Sequence, residues 1–152
     1  MIQRIQSVYL FLSIVAMVVC ACLPVASIAP TGMGIASDMY NLCIIDGNDE
    51  SLSFAVSGLF ALLAAGVITS VINIFSYNNR KAQSRDCLVT IMLMLLWIGL
   101  YAFEAYTYNT EKATFDVRFT ACLPIVAIIL QWLARVAIRK DEKLIRSIDR
   151  IR

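Results

Sequence analysis

Four long stretches of the chain contain no charged residue. They cover residues 5–37, 51–79, 87–103 and 119–134. An α-helix rises about 1.5 Å per residue, so roughly 20 residues cross a hydrocarbon core about 30 Å thick. The first two stretches exceed that length, and the last two reach it if Arg118 and Arg135 extend their charges to the interfaces. The pattern therefore predicts four membrane-spanning helices.

The predicted fold class is all-α, a polytopic membrane protein with its four transmembrane helices in an antiparallel bundle and a basic amphipathic helix at the C-terminus. The helices are expected at about 5–29, 53–77, 87–107 and 118–138, which together make a transmembrane domain over 1–138. Outer loops are expected at 30–52 and 108–117, and a cytoplasmic amphipathic tail at 139–152. The conformation of the 31–52 loop is left open.

Composition and charge fix the expected orientation. Charged residues make up 16% of the 152-residue chain, against about a quarter in soluble domains, and hydrophobic residues make up 60%. Of the 13 Lys and Arg residues, only Lys112 and Arg118 fall on the predicted outer side. Because cytoplasmic loops carry the excess of Lys and Arg, both termini are expected in the cytoplasm of a bacterium, with the chain in its inner membrane. We expect the first helix to be retained as a span rather than cleaved as a signal peptide.

The tetrapeptide Ala-Cys-Leu-Pro occurs twice, from Ala21 and from Ala121. Both copies are expected inside helices near the outer leaflet, where each proline frees a carbonyl one turn earlier. The flanking sequences share nothing, and the two helices run in opposite directions. We interpret the repeat as chance.

Four cysteines are expected on the outer side, where a disulfide can persist in an oxidising periplasm. These candidate outer-side thiols are Cys20, Cys22, Cys43 and Cys122. The chain has five cysteines, no histidine and no Cys-x-x-Cys spacing, so helix packing is the favoured role and a zinc site is not expected.

Glu104 is the carboxylate expected within an apolar helix. It shares a predicted helix face with Trp97, Tyr101 and Tyr108. An antiparallel hairpin of helices 3 and 4 would bring Glu104 to the depth of Arg118, which predicts an ion pair near the outer interface. A structural clasp is favoured over a functional site because the position is far from the midplane.

A stripe of small and polar residues recurs at every fourth position of helix 2. Its members are Ser57, Ala61, Ala65, Thr69 and Asn73. Small residues at this spacing allow close helix approach, and Asn73 can hydrogen-bond across the contact. Helix 2 is therefore expected at the centre of the bundle.

The C-terminal segment combines an apolar stripe with cations on its other faces. The cations are Arg139, Lys140, Lys143, Arg146 and Arg150. Such a segment is typical of helices that contact anionic lipid headgroups, a protein partner or another copy of the chain.

The two ends of the chain carry a resemblance to a known family. The opening "MIQRIQSVYL", the "LP" of the first helix and the ending "IRKDEKLIRSIDRIR" resemble a domain-of-unknown-function family of small four-helix membrane proteins from Bacteroidota. The resemblance implies an inner-membrane protein with both ends inside. It implies no activity, ligand or site residue.

These patterns favour a non-enzymatic accessory or scaffold subunit without a cofactor. The sequence contains no nucleotide-binding loop, no metal-ligand cluster and no Ser/His or Cys/His pairing. The expected partners are the lipid bilayer and its anionic headgroups, a membrane or cytoplasmic protein, or a second copy of the chain. Nucleic acid is not expected, because the basic residues adjoin the membrane and alternate with acids. The alternatives are a membrane thiol oxidoreductase using the outer-side cysteines and a small-solute or proton carrier with Glu104 as its titrating group.

Overall fold

The computed structural model describes residues 3–32, 34–47, 49, 51–76, 80–109 and 113–149, with side chains between 5 and 142 apart from 80 and 81. The helices are α1 (Gln3–Cys22), α2 (Ser57–Phe75), α3 (Arg80–Tyr108) and α4 (Leu123–Asp149), with a 3-10 turn at Phe119–Cys122 leading into α4. The strands are β1 (Ala26–Pro30), β2 (Ser37–Met39), β3 (Ile44–Ile45), β4 (Leu52–Ser53) and β5 (Ala113–Val117).

Four helices in the described residues are long and apolar enough to cross a membrane. The apolar segments are Ile5–Cys22, Ser57–Phe75, Ala82–Tyr108 and Phe119–Glu142. Most large side chains on their outward faces are exposed apolar groups, among them Phe11, Ile68 and Met92. Such a surface is stable in lipid and costly in water. The chain is therefore a membrane protein with four candidate spans.

The helices pack in pairs: α1 against α2 and α4, and α3 against α2 and α4. At the closest approach of α2 to α3, a Cβ added to Gly66 would lie 2.7 Å from Cε of Met94 and 3.2 Å from Sδ of Met17. The missing side chain of Gly66 thus lets three helices meet in one core, as small residues do in membrane helix contacts.

A five-stranded antiparallel sheet covers one end of the helices, which we call the sheet end. Its strand order is β4-β3-β2-β1-β5, so β1 in the α1–α2 connection pairs with β5 in the α3–α4 connection. The expectation of an all-α fold is corrected by this sheet. It was missed because three of its strands lie in predicted loops, β1 overlaps the predicted end of helix 1 and β4 straddles the predicted start of helix 2.

One face of the sheet is buried against the helix ends. Ala26, Met39 and Ile44 are adjacent in the strand pairing and belong to the same buried cluster as Leu59 and Trp97 of the helices. Side chains alternate between the two faces of a strand, so the intervening residues lie on the other face. The sheet is thus a lid with an apolar inner face, and its outer face carries the polar Ser27, Asp38 and Asp116 beside Ile45 and Leu52.

The two Ala-Cys-Leu-Pro copies have opposite structural roles. α1 ends at Cys22, because Pro24 restricts the backbone of the residue before it and cannot continue the helical hydrogen bonds. Pro124 instead lies in the first turn of α4, where a missing N–H costs nothing. Both prolines were expected inside helices, where each would leave a carbonyl without its hydrogen bond. That expectation is corrected, because Pro24 follows α1 and Pro124 lies at the start of α4.

Charged residues extend two helices beyond the predicted spans. α3 begins at Arg80 rather than near 87, and α4 continues from Leu123 to Asp149 through the expected boundary at 138 and 139. Helix propensity does not stop where a charge enters, since Arg, Lys, Glu and Gln are good helix formers. Charge marks the limit of an apolar segment rather than the end of a helix.

The close approach at Gly66 generates a stability prediction. A Gly66→Leu substitution should lower the free energy of unfolding by about 1–3 kcal/mol, because the added side chain overpacks the contact with Met17 and Met94. Gly99→Leu is the matched control, since Gly99 lies on α3 with no atom within 4 Å of an added Cβ. Denaturation of the detergent-solubilised protein measures both, and equal effects of the two substitutions would contradict the packing role of Gly66.

Candidate functional site

Asn41, in the turn between β2 and β3, joins the sheet to three helices. Its side chain is fully buried, and its Nδ2 donates to the Cys20 carbonyl oxygen at 2.6 Å. Its Oδ1 accepts from the Trp97 indole N–H at 3.0 Å, and its backbone carbonyl accepts from the N–H of Phe60 at 3.1 Å. Cys20 lies in the last turn of α1, whose carbonyls have no partner within the helix. Asn41 thus caps α1 while it binds α2 and α3.

Aromatic side chains of α3 continue this contact towards β5. The rings of Trp97 and Tyr101 stack with centroids 5.1 Å apart, and Tyr101 meets Phe115 edge to face at 5.7 Å. The Tyr101 hydroxyl donates to the Val25 carbonyl oxygen at 3.0 Å. The predicted shared face of Trp97 and Tyr101 therefore packs under the sheet, with every polar tip bonded.

The structure gives Arg118 a carboxylate partner other than the expected Glu104. Its Nη2 lies 2.5 Å from Oδ1 of Asp38, and both side chains are exposed. Arg118 follows β5 and shares the outer face of the sheet with Asp116 and Asp38, which both lie opposite Ser27. The contact of Tyr101 with Phe115 shows that α3 lies under the inner face of the sheet. The hairpin prediction did not include the sheet, which brings Arg118 next to Asp38.

The five cysteines are free thiols in different environments. Cys20 and Cys87 are buried, Cys43 is partly buried, and Cys22 and Cys122 are exposed. The Cys20 sulfur lies 3.9 Å from Nδ2 of Asn41, so it belongs to the packed contact below the sheet. The predicted group of outer-side thiols therefore has one buried member and no disulfide.

A second polar cluster lies deep between three helices. Gln131 of α4 is fully buried and its Nε2 donates to the hydroxyls of Ser13 at 3.1 Å and Ser70 at 2.8 Å. Ser13 and Gln131 each lie near the middle of their apolar segments. The Gln131 Oε1 has no hydrogen-bond partner in the described structure. We call this the Gln131 cluster.

The Gln131 cluster was missed because its members carry no charge. The polar residues expected to matter within the spans were Glu104, which is ionisable, and the regular stripe of helix 2, and Gln131 belongs to neither. The available signal was a Gln in the middle of a predicted span, where polar residues are costly without a partner.

The expected stripe on α2 is only partly in the helix contact. Asn73 is buried, but Ser57 and Ala61 are exposed, and Ala65 and Thr69 are partly buried. The buried face instead comprises Leu59, Leu63, Gly66, Ser70 and Asn73. A helix has 3.6 residues per turn, so residues four positions apart differ by about 40° in their direction around the helix axis. A stripe of such residues therefore turns away from a straight contact with a neighbouring helix. Of the residues in the expected stripe, only Asn73 belongs to the buried face of α2.

Asn73 closes the hairpin between α2 and α3. Its Nδ2 lies 3.3 Å from the Gln83 carbonyl oxygen and 3.2 Å from the Cys87 sulfur, and Gln83 Nε2 donates to the Asn73 carbonyl at 3.4 Å. The Asn73 Oδ1 has no partner in the described structure. The predicted interhelical role of Asn73 therefore rests on its Nδ2 and carbonyl oxygen.

The base of the C-terminal segment is fixed to α1. Asp141 is buried and its Oδ2 accepts a short hydrogen bond from Nε2 of Gln6, while its Oδ1 has no partner among the described atoms. Arg139 and Lys140 are exposed on α4. The side chains of Lys143 and Arg146, and all of Arg150, lie outside the described residues. Over the part of the chain described, no three His, Cys, Asp or Glu side chains gather where they could hold a metal ion.

The Asn41 contact generates the second prediction. Asn41→Leu should lower the free energy of unfolding by about 2–4 kcal/mol, because it leaves the Trp97 N–H and the Cys20 carbonyl buried without partners. Trp97→Phe removes one of those orphaned groups, so the double variant should lose less than the sum of the two single losses. Additive losses in this double-mutant cycle would contradict a direct Asn41–Trp97 bond.

Comparison with known proteins agrees with the resemblance seen at the two ends of the chain. The family model described as Domain of unknown function (DUF4293) matches residues 2–151. No curated protein matches the chain. The match covers the four helices, the sheet and nearly the whole C-terminal segment, so this chain belongs to the DUF4293 family of domains of unknown function.

Proposed function

We propose that this protein is a non-enzymatic accessory or scaffold subunit of the bacterial cytoplasmic membrane. In this proposal the four spans form an antiparallel bundle, both termini lie in the cytoplasm and the sheet faces the periplasm. The distribution of Lys and Arg between the two ends supports this orientation. The cytoplasmic end of α4 is the surface that a protein partner contacts.

The observation that carries this proposal is the continuity of α4. Its 27 residues make a helix about 40 Å long, which exceeds a hydrocarbon core of about 30 Å. An unbroken helix leaves the membrane along its own axis rather than turning to lie on the headgroups. This geometry favours a protein partner over a flat lipid contact for the basic segment.

The packing of α4 against α1 supports a fixed orientation of that segment. Gln6 and Asp141 bond at the base of the projection, and Ile138 is buried one turn earlier beside Leu10. Arg139 and Lys140 are exposed at the same level. A rigid, charged projection is suited to docking, since little conformational entropy is lost when a partner binds it.

Site-specific photo-cross-linking in intact cells tests this proposal. A photoreactive residue in place of Arg139 should capture one protein in near-stoichiometric yield, and the same residue in place of Val136, an exposed apolar position one turn earlier, should capture only lipid. A Lys140→Glu change should reduce the capture at 139, because it reverses a charge next to the contact. Capture of lipid or of the same chain alone at position 139 would contradict the accessory role.

The Gln131 cluster favours a second candidate function, a carrier of small polar solutes. Carriers bind their substrates near the bilayer midplane between helices, and Gln131 presents an unpartnered oxygen at that depth. Glu104, which the sequence suggests as the titrating group of a carrier, lies near the sheet end of α3 rather than at the midplane and is less suited to binding a solute.

Flux measurements separate this candidate from the scaffold. If the protein is a carrier, proteoliposomes should take up a polar solute, and Gln131→Leu should lower that flux at least tenfold, because it removes the polar centre of the cluster. The Thr107→Val variant is the control, because the Thr107 hydroxyl is exposed and bonds within its own helix. The scaffold proposal expects no flux above that of empty vesicles in any of the three proteins.

A further inference from the structure

A groove runs along the outward surface of α3. Its volume is 430 Å³ and its lining side chains all belong to this helix: Arg85, Leu88, Val89, Met92, Leu93 and Leu96. The lining is apolar except at Arg85. Met92 and Leu96 are more than half exposed, so no other described element covers the groove.

The length of the groove matches one leaflet of a bilayer. From residue 85 to residue 96 the helix rises about 16 Å, which is close to half of a hydrocarbon core about 30 Å thick. Arg85 lies near the start of the apolar segment Ala82–Tyr108, and Leu96 lies near its middle. A chain of methylene groups lying in the groove would therefore run from the interface to the bilayer midplane.

Arg85 provides a cation at the interface end of the groove. Its side chain is exposed, and it makes no ion pair or hydrogen bond with any described residue. A guanidinium group presents a planar fork of donors that matches the oxygens of a phosphate. The groove thus combines an anion-binding end with an apolar length, as an anionic phospholipid requires.

The charge at Arg85 also distinguishes a lipid from a second copy of the chain. Copies in one membrane share an orientation, so a twofold axis between them is normal to the bilayer. Packing of α3 on its copy through this face would bring the two Arg85 side chains to the same depth, where like charges repel. We propose that the α3 groove binds an anionic phospholipid of the leaflet at the Arg85 end, with its phosphate on Arg85 and an acyl chain along Val89, Met92 and Leu96.

Lipid retention by the purified full-length protein tests the proposal. Native mass spectrometry after equilibration with phosphatidylglycerol or phosphatidylcholine should show preferential retention of phosphatidylglycerol. Arg85→Gln should weaken that retention about fivefold and the retention of phosphatidylcholine by less, because the choline cation of that lipid offsets its phosphate charge. Met92→Trp should reduce retention of both lipids, because the larger ring fills the groove.

Matched variants separate the groove from general effects of charge and bulk. Arg118→Gln removes an exposed cation at the sheet end, and Val136→Trp adds a ring to the exposed face of α4; both should retain lipid like the wild type. Equal retention of the two lipids by the wild type, or unchanged selectivity in Arg85→Gln, would overturn the proposal.

A measurement on the unmodified chain guards against variants that fail to fold. Phosphatidylglycerol with a photoreactive group midway along one acyl chain should label the 85–96 segment in preference to the 125–136 segment of α4. Equal labelling of the two segments would show an ordinary lipid-facing surface and reject the site. A dimer cross-linked through Met92→Cys would assign the groove to a second copy and reject it as well.

Discussion

The structure depends on hydrogen bonds to the backbone carbonyls that are left without a helical partner where α1 ends. Pro24 stops the helix above a packed core, and the carbonyl of the buried Cys20 is left without a partner within the helix. The Nδ2 of Asn41 donates a hydrogen bond to the Cys20 carbonyl oxygen, and its Oδ1 accepts one from the Trp97 N–H. An unpaired polar group in this position would cost a few kcal/mol, which is a large fraction of the stability of a domain. The turn that carries Asn41 must therefore stay in place, and the strands on both sides of it stay with it.

The helices were predictable and the sheet was not, for one physical reason. A membrane span needs about 20 apolar residues in succession, which is a strong signal in any sequence. The strands are between two and five residues long, and the sheet joins the α1–α2 connection to the α3–α4 connection, which are distant in sequence. The acidic and small residues of the 31–52 segment suggest a loop, although Ser37–Met39 and Ile44–Ile45 form strands there. Strands this short show no repeat of polar and apolar residues that would distinguish a sheet covering the helices from an irregular connection.

The same limit applies to the side-chain contacts. The Arg118 partner was predicted from the symmetry of a hairpin, which took no account of the sheet that brings Asp38 next to Arg118. The stripe on α2 was predicted from a repeat of four, which follows a helix surface for only two turns before it drifts. Asn73 was identified correctly as an interhelical residue because a buried amide needs partners under almost any packing. Gln131 obeys the same rule, but it carries no charge and belongs to no repeating stripe, so its role was not predicted.

The pairing of β1 with β5 has a mechanical consequence. These strands connect the α1–α2 crossing to the α3–α4 crossing, so five paired residues bind the two halves of the molecule together at one end. At the other end, the chain itself joins α2 to α3, whereas α1 and α4 meet there through side chains such as Gln6 and Asp141. An opening between α1 and α4 that leaves the sheet intact would therefore be widest at the end away from the sheet. The base of the basic segment of α4 lies at that end.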